Sequence, residues 1–146
     1  LASPDPAVRL ASLRVLCHFA SSSSENFVEP LRPLLADPVP EVRERAAVVL
    51  GQVKSAAAPA VPDLLVAMRD PVEDVRLAAT RTVDGMQHEE PRMLGALLAA
   101  LADDSEEVRH AAAHGLMEWG RLYPAHAATV FARLTDPDPY IARAAA

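Results

Sequence analysis

The stretch Asp37-Pro38-Val39-Pro40-Glu41-Val42-Arg43-Glu44-Arg45-Ala46-Ala47-Val48-Val49-Leu50-Gly51 decides the fold. Val42, Ala46, Val49, Leu50 and Val53 fall at offsets 0, +4, +7, +8 and +11, which is one stripe of an α-helix. Ahead of the Asp-Pro pair, Leu31, Leu34 and Leu35 make the apolar side of a shorter helix. Pro38 cannot continue that helix, because its ring removes a backbone donor and pushes the preceding residue out of the α region. Asp37 is expected to accept hydrogen bonds from the free N–H groups that open the second helix. Pro40 suits the first position of that helix. The stretch therefore encodes a hairpin of a short helix A, a tight turn and a longer helix B.

The same hairpin is written along the whole chain. The valine recurs at Val8, Val42, Val75 and Val108, with Ile141 in its place last, at steps of 34, 33, 33 and 33 residues. An arginine follows each valine: Arg9, Arg43, Arg76 and Arg109. Asp70-Pro71 and Asp136-Pro137 repeat the turn, while Ser3-Pro4 and Asp103-Asp104 replace it in two units. Pro6 and Pro139 match Pro40, and Asp70…Glu73 and Asp103…Glu106 have capping-box spacing. The inward stripe reads Val8, Ser12, Val15, Leu16, Phe19 in the first unit and Val75, Ala79, Thr82, Val83, Met86 in the third. In the fourth it reads Val108, Ala112, Gly115, Leu116, Trp119. Helix A is carried by Leu64, Leu65 and Met68, by Leu97, Leu98 and Leu101, and by Val130, Phe131 and Leu134. Short linkers are expected at 21–26, 54–60, 87–90 and 120–123, and the serine run 21–24 reads as a loop.

A fixed period of this length marks a stacked-repeat protein. One hairpin cannot offset its own ordering entropy, so neighbours must stack. The expected fold is all-α: one domain over residues 1–146, with units near 1–21, 22–54, 55–87, 88–121 and 122–146. Leu1-Ala2 reads as the end of a helix A and 140–146 as a shortened helix B, so a piece of a longer array or end-to-end self-association is expected.

Composition narrows the function. Of 146 residues 51% are hydrophobic but only 4% aromatic, which favours closely packed helices over sheets. A net charge of −6 argues against a dedicated nucleic-acid binder. Cys17 is the single cysteine, so no internal disulfide framework exists, which fits a reducing, cytoplasmic setting. No apolar run is long enough to span a bilayer.

The string Asp-Pro-x-x-x-Val-Arg-x-x-Ala-x-x-x-Leu-Gly resembles the HEAT-like repeat family, in particular the short bacterial variety also found in phycobilin lyases. The Thr-Pro-Leu-His string of ankyrin repeats and the Trp…Leu-Gly…Tyr pattern of tetratricopeptide repeats are absent. The resemblance implies a right-handed α-solenoid of stacked antiparallel helix hairpins with the B helices on the concave side. It also implies a structural ladder within and between repeats, joining Asp37, Asp70 and Asp103 to Arg9, Arg43, Arg76 and Arg109.

Offsets +2, +6 and +10 of helix B then face the concave side and vary between copies. They give Leu10, Arg14, His18; Glu44, Val48, Gln52; Leu77, Arg81, Gly85; and His110, His114, Glu118. Exposed Leu10, Val48 and Leu77 are expected to make a partly apolar groove, with Arg14 and Arg81 as anchors. His110 and His114, four apart with Glu118 a turn further, have metal-ligand spacing, but an open face offers little shelter and solvated side chains are the expectation. Cys17 beside His18 has no oxyanion-hole loop or orienting acid, so no nucleophile is assigned. Val108-Arg109-His110 continues with Ala111 where the HEAT-like iron enzyme deoxyhypusine hydroxylase would need glutamate, and His88-Glu89 lies between helices.

The expected function is a non-enzymatic scaffold that binds a protein or peptide, with no catalytic residue, metal or cofactor. A chromophore-handling or regulatory subunit of the phycobilin-lyase kind is the alternative, and a DNA-associated protein resembling the HEAT-like glycosylases is the second.

Overall fold

The computed structural model describes residues 1–19, 25–86, 88–126, 128 and 132. In chain order the α-helices are α1 (Pro6–Phe19), α2 (Val28–Leu31), α3 (Pro40–Gln52), α4 (Val61–Ala67), α5 (Glu73–Gly85), α6 (Pro91–Ala100) and α7 (Glu106–Leu122). Tighter 3-10 turns occupy Glu25–Phe27, Arg32–Ala36, Lys54–Ala60 and Pro124–His126. No strand occurs among the described residues.

The elements form two layers. The B helices α1, α3, α5 and α7 stand in a row, each against the next. The second layer holds the A segments: α2 with Arg32–Ala36, then α4, then α6, each folded back on the B helix that follows it. This is an α-solenoid. Neighbouring B helices pack along much of their length, whereas α4 and α6 touch only briefly. The face of the B helices turned away from the A segments is the one the resemblance implies to be concave.

The seam between the layers is the repeated stripe. Val42, Ala46, Val49, Leu50 and Val53 are fully buried, as are Val75 and Ala79 in α5, Met86 just past it, and Val108, Ala112 and Leu116 in α7. From the A layer, Leu31, Leu64, Met93 and Leu97 meet them, also fully buried. Each such large side chain contributes about 1.5–3 kcal/mol. Thr82 sits in this seam and donates its hydroxyl to the Ala47 carbonyl of the neighbouring helix at 2.8 Å. Val130, Phe131, Leu134, Asp136, Pro137, Pro139 and Ile141 lie outside the described residues.

The first unit departs from the expected stripe. Val8, Val15 and Phe19 are 48, 56 and 72% exposed. In α3, α5 and α7 an A segment covers these offsets, and among the described residues none covers α1. Leu13 and Arg9, which face α3, are buried instead.

The turns also differ from expectation. The residues that cap α3, α5 and α7 are Val39, Val72 and Ser105, two positions beyond the aspartates. Asp37, Asp70 and Asp103 each accept the N–H two residues on, at 2.9 Å, closing a turn rather than a helix end. The expected capping boxes are therefore absent: Glu73 instead accepts the hydroxyl of Ser105 from the next unit at 2.6 Å. Pro6 and Pro40 do open their helices. Of the expected linkers, Lys54–Ala60 is a 3-10 turn with Ala57 and Ala60 buried, and α7 runs on through Gly120 to Leu122.

The aspartates are held in this role by arginines. Arg43 Nε and Nη2 donate to Asp70 at 2.7 and 2.8 Å, and Arg76 does the same to Asp103 at 2.8 and 2.9 Å. Arg9 Nη2 donates to Asp37 at 2.9 Å, while its Nε lies 2.7 Å from the second carboxylate oxygen without the alignment of a hydrogen bond. Each arginine also ties down its own turn: Nη1 of Arg9, Arg43, Arg76 and Arg109 reaches the carbonyls of Ser3, Asp37, Asp70 and Asp103 at 2.8, 2.8, 3.0 and 2.6 Å. One guanidinium thus closes one turn and grips the next. Burial alone would push the carboxyls of Asp37, Asp70 and Asp103 up, but the arginine and backbone hydrogen bonds and the nearby guanidinium charges outweigh it. All three sit below the ordinary aspartate value of 3.8.

Candidate functional site

The outer face of the B helices carries two grooves that meet at Arg81. One runs between α3 and α5, holds about 520 Å³, and is lined by Glu44, Val48, Gly51, Leu77 and Arg81 among others. The second runs between α5 and α7, holds about 1020 Å³, and is lined by Arg81, Asp84, Glu107, His110 and His114 among others. Arg81 borders both, so they form one trough across three B helices.

The sequence-predicted residues divide on this face. Glu44, Val48, Leu77, Arg81, His110 and His114 line the trough. Leu10 and Arg14, on α1, line neither groove. Arg81, His110 and His114 are exposed, while Leu10, Glu44, Val48 and Glu118 are partly buried.

Leu77 is a correction, since it is only 8% exposed. Close packing of α5 between α3 and α7 sinks its +2 position into the floor, so Leu77 supports the groove rather than projecting into it.

The polar groups are partly engaged. His114 Nδ1 lies 2.8 Å from Asp84 Oδ2 across the second groove. Arg81 Nη2 lies 3.9 Å from Glu107, with both side chains about two-thirds exposed. Glu118 accepts from Arg121 at 2.6 Å. That hydrogen bond, aided by the positive charge, holds the Glu118 carboxyl below its usual value. No group of three potential metal ligands occurs among the described residues.

The sequence reading missed the acidic pairs Glu73-Asp74 and Glu106-Glu107 as groove residues. The signal was present: both pairs follow the turn at the same place in the repeat, 33 residues apart.

The HEAT-repeat pattern matches residues 1–83 and again residues 61–146. The chain belongs to the HEAT-repeat family. An engineered protein solved in crystals by the Northeast Structural Genomics Consortium is similar in fold, with a TM-score of 0.66 and 21% identity. That match covers 99% of this chain and 73% of the other. No curated protein matches the chain. Among the described residues, no helix is long and apolar enough to cross a membrane.

Proposed function

We propose that this chain is a non-enzymatic scaffold that binds a protein or peptide segment in the trough on its concave face. One observation carries the reading. Along the B helices the seam positions repeat from unit to unit, while the trough positions differ: Glu44 and Val48, then Leu77 and Arg81, then His110 and His114. Packing constrains the first set and leaves the second free to encode recognition. The trough is open and elongated, which suits an extended or helical segment. Its many carboxylates repel a phosphate backbone, so nucleic acid fits it poorly.

The test is a displayed peptide library selected against the whole chain. Ligands so selected should lose binding to a Glu44→Lys, Glu107→Lys variant, altered in both grooves, whose helical circular dichroism is unchanged. A Val66→Glu variant on the A layer should retain it. Ligands that ignore the groove variant and respond to Val66→Glu would overturn the reading. Leu77 is unsuited to this test, because substituting a buried floor residue confounds binding with stability.

A further inference from the structure

We infer that the occupant of the trough is a cationic amphipathic segment, laying an apolar side on the floor and lysine or arginine against the rim. This rests on the trough being the binding face and names the chemistry of its ligand.

The floor is hydrocarbon: Val48, Leu77, Ala78 and Ala111, with Gly51 between α3 and α5. The rim is acidic, with Glu44 and Asp74 on the first groove and Glu73, Asp84, Glu106 and Glu107 on the second. Among the described residues Arg81 is the one guanidinium lining either groove, and it approaches Glu107 only at 3.9 Å. Glu44 and Asp74 make no hydrogen bond or ion pair with any described residue.

Helix dipoles account for part of this pattern, since acids are favoured in the first turns of α5 and α7. They do not account for Glu44, beyond the first turn of α3, nor for Asp84, at the carboxyl end of α5 where the dipole disfavours an anion.

Charge complementarity then selects the occupant. A neutral apolar segment would strip water from Glu44 and Asp74 without replacing it. An anionic segment would add repulsion along the trough. Ammonium or guanidinium groups spaced along one side of a helix meet both rims while its other side covers the floor.

The probes are three synthetic amphipathic helices with the same leucine face and with lysine, glutamine or glutamate on the polar face. Their binding to the whole chain is read by fluorescence anisotropy at low and high salt. The lysine helix should bind, and should weaken as salt rises. A Glu44→Gln, Asp74→Asn, Glu107→Gln variant should bind it about tenfold more weakly. A Glu29→Gln, Asp63→Asn variant, which removes two carboxylates from the A layer, should bind it as the native chain does.

Equal binding of the glutamine or glutamate helix would overturn the charge assignment and leave the trough reading intact. Lysine-helix binding that ignores the groove variant would reduce the effect to general attraction toward an acidic protein, and overturn it too. Failure of all three helices would bring down both readings.

Discussion

Arg43 holds the Asp70 carboxylate with two parallel hydrogen bonds, at 2.7 and 2.8 Å, and with a third nitrogen reaches the Asp37 carbonyl at 2.8 Å. Both side chains are about nine-tenths buried. Removing the cation therefore leaves a half-satisfied, poorly hydrated carboxylate and an open turn. Arg43→Ala should lower unfolding free energy by about 3 kcal/mol in urea titrations. Breaking the exposed Arg81–Glu107 pair with Glu107→Gln should change it by less than about 0.5 kcal/mol.

Acid should loosen the stack. The carboxyls of Asp37, Asp70 and Asp103 titrate below their ordinary value in the folded chain. A depressed folded pKa stabilises above the unfolded pKa, and that contribution fades as pH falls through the folded one. Stability should hold from neutral pH to about 5 and then drop steeply below about 4. Denaturant midpoints measured across this range should show the drop, and an Asp70→Asn variant should show a shallower one.

Two glycines should respond to alanine with opposite signs. A Cβ at Gly95, inside α6, would meet nothing within 4 Å. Gly95→Ala should therefore gain about 1 kcal/mol from helix propensity. At Gly51 the Cβ would stand 3.0 Å from the Thr82 hydroxyl, which already donates to Ala47 at 2.8 Å. That side chain is buried and cannot swing aside without losing its bond, so Gly51→Ala should lose about 1 kcal/mol net. Thermal unfolding followed at 222 nm, roughly the helical band, separates the two signs.

Lys54, just past the cap of α3, has φ at 51°. This is the left-handed region that a side chain disfavours and glycine accepts. Lys54→Gly should stabilise the chain by roughly 0.5–1 kcal/mol, visible as a higher denaturant midpoint with an unchanged slope.

The hairpins were legible because valine, arginine and the Asp-Pro turn repeat in register. Asp37 and Arg9 illustrate what could be expected but not measured: their types suggested a ladder, and only coordinates show which atoms meet. Local cap rules misplaced the aspartates, because a guanidinium from the preceding unit competes for the same carboxylate and draws it into a turn. Val8, Val15 and Phe19 carry the same pattern as their buried counterparts, since periodicity records which face is apolar and not whether anything lies on it. Leu77 was misread for a related reason. Its depth depends on how closely three helices approach, and that distance follows from small residues such as Gly51 and Gly115 on neighbouring units rather than from its own position. Of the rim acids, Glu73, Asp74, Glu106 and Glu107 escaped notice because an acidic first turn already has a local explanation.

Among the described residues every rung of the ladder runs the same way, from the arginine of an earlier unit to the aspartate of the later one. A hairpin that opens on Asp37 or Asp70 thus presents a donor on its trailing edge and an acceptor on its leading edge. A block such as 37–69 could be copied in tandem, and each junction would again match a guanidinium with a carboxylate. Lengthening such a gene by in-frame duplication would therefore disturb no existing bond, and each added block would extend the trough by one more freely variable stretch.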